Sequence, residues 1–131
     1  MKTLVVDDDF TARVLLQETL KGYGPVHVAV DGKEAVDAAR VARDDGEPYD
    51  LICLDIMMPE MDGKTALKLM RAEEEAKGVK WSDRMKIVMT TAVHDLKSVT
   101  ESYKSLADAY ITKPIDRADL LDSLRNLELI T

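Results

Sequence analysis

The stretch Leu51-Ile52-Cys53-Leu54-Asp55-Ile56-Met57-Met58-Pro59-Glu60-Met61-Asp62-Gly63 decides how this chain is read. Its opening apolar run has no polar alternation, which is the pattern of a strand buried on both faces in a parallel sheet. Asp55 closes the run, and Pro and Gly turn residues follow. An acid is thereby set at the carboxyl edge of a buried strand, where open α/β sheets hold their ligands. Other apolar runs end in the same manner. Leu4-Val5-Val6 leads into Asp7-Asp8, Ile87-Val88-Met89-Thr90 into Thr91, and Tyr110-Ile111-Thr112 into Lys113. Acids, a hydroxyl and an ammonium therefore converge on one edge.

Working outward, strands are predicted at 4–6, 26–30, 51–54, 87–90 and 109–112, all short apolar runs read as buried on both faces. Helical spacings lie between them: Ala12, Leu15, Leu16 and Leu20; Ala35, Ala38, Ala39 and Ala42; Ala66, Leu69 and Met70; Leu96, Val99, Tyr103 and Leu106; and Leu120, Leu124 and Leu127. Strands alternating with helices imply right-handed βαβ crossovers. The expected fold is α/β, a doubly wound (βα)5 domain with a five-stranded parallel sheet and helices on both faces. Punctuation agrees: Gly22-Tyr23-Gly24-Pro25 ends the first helix, Asp31-Gly32 opens the second, and Gly46-Glu47-Pro48 precedes the third strand. The charged segment 73–84 lengthens the connection into the fourth strand. It reads as a solvated helix end and loop, with Trp81 as the alternative of an exposed partner anchor.

The chain has 131 residues, 46% of them hydrophobic and 33% charged, with a formal charge of −7. That is enough for one domain with its own core, and residues 1–131 are read as a single domain. No apolar run approaches the ~20 residues of a membrane span. An N-terminus that opens straight into a strand, with no signal region, points to a cytoplasmic protein. The acidic balance disfavours direct nucleic-acid binding, so protein partners are expected. Cys53, alone in an apolar strand, reads as a buried structural thiol.

In a doubly wound sheet Asp7, Asp8 and Asp55 share a crevice, and their mutual repulsion is relieved by a hard divalent cation such as Mg2+. An Asp carboxylate beside such a metal is a nucleophile toward phosphorus. Lys113 can neutralise a phosphoryl oxygen, and the Thr91 hydroxyl can donate to another. Each residue taken singly has a structural alternative: Asp8 or Asp9 as a cap of the first helix, Thr91 as a cap of the fourth, Lys113 as a solvated charge, Asp62-Gly63 as a turn.

Taken together, Val5-Val6-Asp7-Asp8-Asp9, the run from Leu54 to Gly63, Thr91-Ala92 and Lys113-Pro114 resemble the receiver domains of two-component response regulators, including the single-domain chemotaxis type. The resemblance covers residues 2–129. It implies the flavodoxin-like strand order 2-1-3-4-5, Asp55 as phosphoacceptor, Asp7 and Asp8 as the acid pair serving Mg2+, and the backbone carbonyl of Met57 as a further metal ligand. Thr91 and Lys113 would contact the phosphoryl group, Tyr110 would occupy the aromatic switch position, and the Lys113-Pro114 bond would be cis. Met57 and Val93 fall where the family positions the hydrolytic water. His94 reads as a loop or helix-start residue, and Met57, Met58, Met61 and Met89 as packing residues rather than a soft-metal site.

The function expected is a phosphorylation switch. A sensor histidine kinase or histidine phosphotransfer protein delivers the phosphoryl group to Asp55. The altered domain, a monomer or a phosphorylation-dependent dimer, then engages a protein target through the face formed by the fourth helix, fifth strand and fifth helix. The span from Met1 to just past the fifth helical pattern is read as a complete single-domain protein. The alternative is the receiver portion of a larger regulator with a DNA-binding or enzymatic output domain. A metal-dependent phosphohydrolase with an aspartyl-phosphate intermediate is disfavoured because Met57 stands where such enzymes place a second acid.

Overall fold

The structure is a computed structural model that describes residues 1–58, 60–92 and 106–131. Helix starts are set by aspartate. Asp9 caps α1 (Phe10–Leu20), Asp31 caps α2 (Gly32–Asp44), Asp62 caps α3 (Gly63–Ala76) and Asp116 caps α4 (Arg117–Asn126). In each case the carboxylate accepts from a backbone N–H three residues on, satisfying a donor that the first turn leaves free. The helix α4 is the fifth helical pattern of the sequence. Most of the fourth pattern, with Leu96, Val99 and Tyr103, lies outside the described residues, as do Pro59, Val93 and His94.

The strands β1 (Thr3–Val6), β2 (Val26–Ala29), β3 (Leu51–Asp55), β4 (Lys86–Ala92) and β5 (Ala109–Lys113) form one parallel sheet in the order β2-β1-β3-β4-β5. Strand alternation sends side chains to two separate cores. Leu4, Ile52, Leu54, Ile87 and Met89 pack with Ala35 and Ala39 of α2 and Leu67 and Met70 of α3. Val5, Cys53, Val88 and Ile111 pack with Leu16 and Leu20 of α1 and Leu120 and Leu124 of α4. This is the doubly wound arrangement expected, with helices on both faces. Burial pushes the Cys53 thiol up to about 12, which keeps it a neutral core side chain.

Three readings need correction. The strand β2 is not buried on both faces: it pairs only with β1, its residue Val28 is 44% exposed, and the strand ends at Ala29 rather than Val30. Within the helices, Leu15 and Leu69 face solvent, and the buried stripe of α3 runs instead through Ala66, Leu67 and Met70 into Arg71 and Glu74. The segment 73–84 is therefore not simply solvated. Glu74 is 2% exposed, accepts from Arg71 at 2.7 Å and from the Met85 N–H at 2.8 Å. The Arg71 guanidinium also donates to the carbonyls of Leu106 and Met85 and to Asp108 at 2.7–2.8 Å. A buried, fully hydrogen-bonded ion pair thus fastens the end of α3 to the start of β4 and to the approach to β5.

Candidate functional site

The carboxyl edge of the sheet is braced by close backbone approaches. The loop after β3 folds back so tightly that a Cβ at Gly63 would lie 2.1 Å from the Asp55 carbonyl oxygen, and the Gly63 N–H donates to the Ile56 carbonyl at 2.9 Å. At the other end of the loop, Gly32 donates to the Met61 carbonyl at 3.0 Å, and a Cβ there would meet that oxygen at 2.4 Å. Only glycine allows either contact. Asp7, fully buried after β1, accepts from the Asp9 N–H at 2.9 Å, and its carbonyl accepts from Arg13 at 2.9 Å. Asp8 faces solvent.

One carboxylate oxygen from each of Asp7, Asp8 and Asp55 lies within 4.8 Å of the others. Lys113, at the end of β5, reaches them with Nζ 3.0 Å from Asp7 Oδ2 and 3.3 Å from Asp55 Oδ2. A single ammonium facing clustered carboxylates leaves the site anionic. Burial and then the repulsion of Asp7 push the Asp55 carboxyl up to about 6, against the pull of Lys113 and of the Met57 N–H. For Lys113 burial acts to lower the value, but the hydrogen bond to Asp7 and the attraction of Asp55 and Asp7 outweigh it and the ammonium is held above its ordinary range. An all-carboxylate set of hard oxygens with excess negative charge fits a hard divalent cation such as Mg2+ and suits no soft metal.

The other expected site residues occupy the same edge. Thr91 is buried near the end of β4, its hydroxyl donating to the Ala92 carbonyl at 3.4 Å; it pairs in register with Thr112, while Thr90 pairs with Asp55. Tyr110 in β5 lies opposite Met89, and its buried hydroxyl has no hydrogen-bond partner among the described residues. The Lys113-Pro114 bond is cis. Met57 is 72% exposed and so is not a packing residue, whereas Met58 and Met61 rest on the core and Met89 is inside it. Of the acids offered as caps, Asp9 is one and Asp8 is not.

Two features escaped the sequence reading. The glycine approaches were visible only as Asp-Gly turn punctuation. Beside the acids, Phe10, Val14 and Leu15 expose an apolar face of α1 whose spacing resembles a core stripe, and a concavity of about 180 Å3 separates Leu15 from Pro114 and Ile115.

The chain matches the response regulator receiver domain family over residues 3–125. It is 36% identical over 125 residues to the DNA-binding response regulator MtrA of Mycobacterium tuberculosis, an overlap covering 95% of this chain and 49% of MtrA. It is 30% identical over 122 residues to the osmosensing histidine protein kinase SLN1 of Saccharomyces cerevisiae, covering 92% of this chain and 9% of that protein. The chain thus spans less than half the length of these relatives. Among solved structures, the receiver domain of the sensor histidine kinase PA1611 from Pseudomonas aeruginosa, with a magnesium ion coordinated in its active-site cleft, superposes with a TM-score of 0.74 at 28% identity, covering 95% of this chain and 94% of that one. Among the described residues no helix is long and apolar enough to cross a membrane. By family match, strand order and relatives alike, the chain belongs to the response regulator receiver domains, the signalling domains of two-component systems.

Proposed function

We propose that Asp55 is the phosphoacceptor of a Mg2+-dependent switch. The observation that carries the reading is the approach of Asp7, Asp8 and Asp55 to within 4.8 Å with Lys113 3.3 Å from the Asp55 carboxylate. With its carboxyl at about 6, Asp55 is largely ionised near neutrality and available as a nucleophile. Its oxygen attacks the phosphorus of a phosphohistidine on a histidine kinase or histidine phosphotransfer protein. The P–N bond breaks, the imidazole leaves with the bonding pair and takes up a proton, and an acyl phosphate forms on Asp55. Lys113 swings its charge onto a phosphoryl oxygen, and the Thr91 hydroxyl donates to another. Asp7, Asp8, Asp55 and the Met57 carbonyl would hold Mg2+, which offsets the charge gathered on the acids and the phosphoryl oxygens. Chemistry of this kind serves the domain's own phosphorylation and dephosphorylation and no external turnover.

The exposed apolar face of Phe10, Val14 and Leu15 beside the acids supports docking of the donor protein there. The readout follows from Thr91 and Tyr110. Drawing the Thr91 hydroxyl toward the phosphoryl group frees space for the Tyr110 ring, whose hydroxyl lacks a partner, and alters the surface next to β5 and α4 that a protein target reads. The domain acts in the cytoplasm as a monomer or a phosphorylation-dependent dimer. Incubation with a small acyl phosphate donor and Mg2+ tests the assignment. One phosphoryl mass is expected on the parent and none on Asp55→Asn; full labelling of that variant removes Asp55 from the role, and full labelling in EDTA removes the metal.

A further inference from the structure

We propose that β2 is a docking edge for a second copy of this chain, the two β2 strands running antiparallel about a two-fold axis at His27 so that one sheet continues through both copies. β2 has β1 on one side and no strand on the other. The ladder to β1 fixes which of its groups are free. The Thr3 N–H donates to the Pro25 carbonyl at 2.9 Å and the Asp7 N–H to the Ala29 carbonyl at 3.2 Å, and Thr3 and Val5 sit in register with Val26 and Val28. Pro25, His27 and Ala29 therefore turn their bonding groups to β1, while Val26 and Val28 turn both N–H and C=O outward. Among the described residues no side chain engages these outward groups, and both His27 and Val28 are exposed, so the edge is not covered.

The pattern of the edge selects its occupant. An unpaired row of donors and acceptors is a template for another strand, and natural edges are commonly blunted by charge or proline. Within Val26-His27-Val28-Ala29 there is no acid, lysine, arginine or proline. The row stops one residue later, where the Val30 N–H donates to Glu34 Oε1 at 3.1 Å. What remains is self-complementary. In an antiparallel pair centred on His27, Val26 of each copy exchanges both bonds with Val28 of the other, and no outward group of the strand is left over. The same pairing sets Val26 against the other copy's Val28 on the face that α1 covers, β-branched against β-branched. The two His27 residues meet on the other face, where each ring is already held with Nδ1 2.7 Å from the Tyr49 hydroxyl. Moving the axis to Val28 would bring Val26 opposite Val30, whose N–H is taken. A segment of another protein would meet no charge on this strand to select it, whereas a second copy arrives with the matching sequence. Association here needs no phosphoryl group and goes beyond the switch: β1 stands between β2 and the strand that bears Asp55, and β5 is the far edge of the sheet. Each copy formally carries −7, so the contact forms against a general repulsion and strengthens as salt screens it.

The test is sedimentation velocity of the unphosphorylated full chain from roughly 10 µM to 1 mM, the range in which so small a contact forms. The weight-average mass should climb from one copy toward two, more steeply at higher salt. His27→Lys and His27→Glu each place like charges opposite each other at the axis and should weaken association at least about tenfold, while an equimolar mixture of the two should recover a mixed dimer. Val28→Pro, which removes an N–H that β1 does not use, should abolish association. A cooperative thermal transition by circular dichroism at high dilution shows that each variant is folded. The mass of a single copy at every concentration overturns the proposal and leaves the edge to a different protein, and His27 variants that associate as the parent does overturn it as well. So does a mixture no tighter than its components, which removes His27 from the axis. Association that appears only on phosphorylation and ignores Val28→Pro overturns it in favour of another face.

Discussion

Asp55→Asn should make the domain more stable when Mg2+ is absent. Burial and Asp7 raise the Asp55 carboxyl from 3.8 to about 6 in the folded state. Between those limits the folded chain holds more protons than the unfolded chain, so stability falls as pH rises through that window, the reverse of an ordinary paired carboxylate. At about 1.4 kcal/mol per pH unit, the ionised carboxylate costs the folded state up to about 3 kcal/mol near neutrality. Asparagine keeps the shape without the charge and recovers that energy. Urea unfolding followed by circular dichroism in EDTA should show a gain of about 2–3 kcal/mol near pH 7, shrinking toward zero below about pH 4, where the parent is protonated as well. Saturating Mg2+ should narrow the difference from the other side, because the parent binds the ion through one more carboxylate and gains RT ln(1 + [L]/Kd). Equal or lower stability of Asp55→Asn near neutrality in EDTA would refute the account of an electrostatically strained acid cluster.

Melting temperature of the parent should climb with Mg2+, and Asp8→Ala, which removes the solvent-facing member of the cluster, should flatten the response; an undiminished climb would take Asp8 out of the metal site. Arg71→Leu should lose about 3–5 kcal/mol, read as a fall of roughly 10–20 °C in thermal unfolding, because it strands Glu74 in the interior. A fall below about 3 °C would mean that the pair behaves as a surface contact. Met57 offers an attacking water no hydrogen bond, so Met57→Asn combined with Val93→Glu should hasten phosphate release at least about tenfold, or about 1.4 kcal/mol of barrier. Equal decay of the two phosphoproteins in acid-quenched release would dismiss the side chains as determinants.

What was legible in the sequence follows from where its signals are local. Apolar runs ending in Asp7, Asp55, Thr91 and Lys113 set both the strands and the edge at which these residues gather, since a parallel strand and its terminus are short-range patterns. Val26 to Val30 misled because an apolar run looks the same at an edge as in the centre; which strand lacks a second neighbour is decided by topology. Arg71 and Glu74 sit in a run of charges that reads as a solvated helix end, and only the arrival of Met85, Leu106 and Asp108 turns that face inward. Leu15, read as part of the first helix's core stripe, misled for the converse reason. Its spacing with Ala12 fits that stripe, but Leu16 and Leu20 claim the sheet and leave Leu15 outside with Phe10 and Val14.

The contact between Lys113 and Asp7 joins residues 106 apart in sequence, and the strands that bear them are not neighbours: β3 and β4 lie between. Closing so long a loop is entropically expensive, and the intervening strands β3 and β4, each paired to its neighbour, offset that cost by bridging the two ends. A chain that has assembled β1, β3 and their helices but not β5 has the acids and lacks the ammonium. The meeting of the Lys113 ammonium with the Asp7 carboxylate therefore registers that the whole sheet stands, from β1 across to β5.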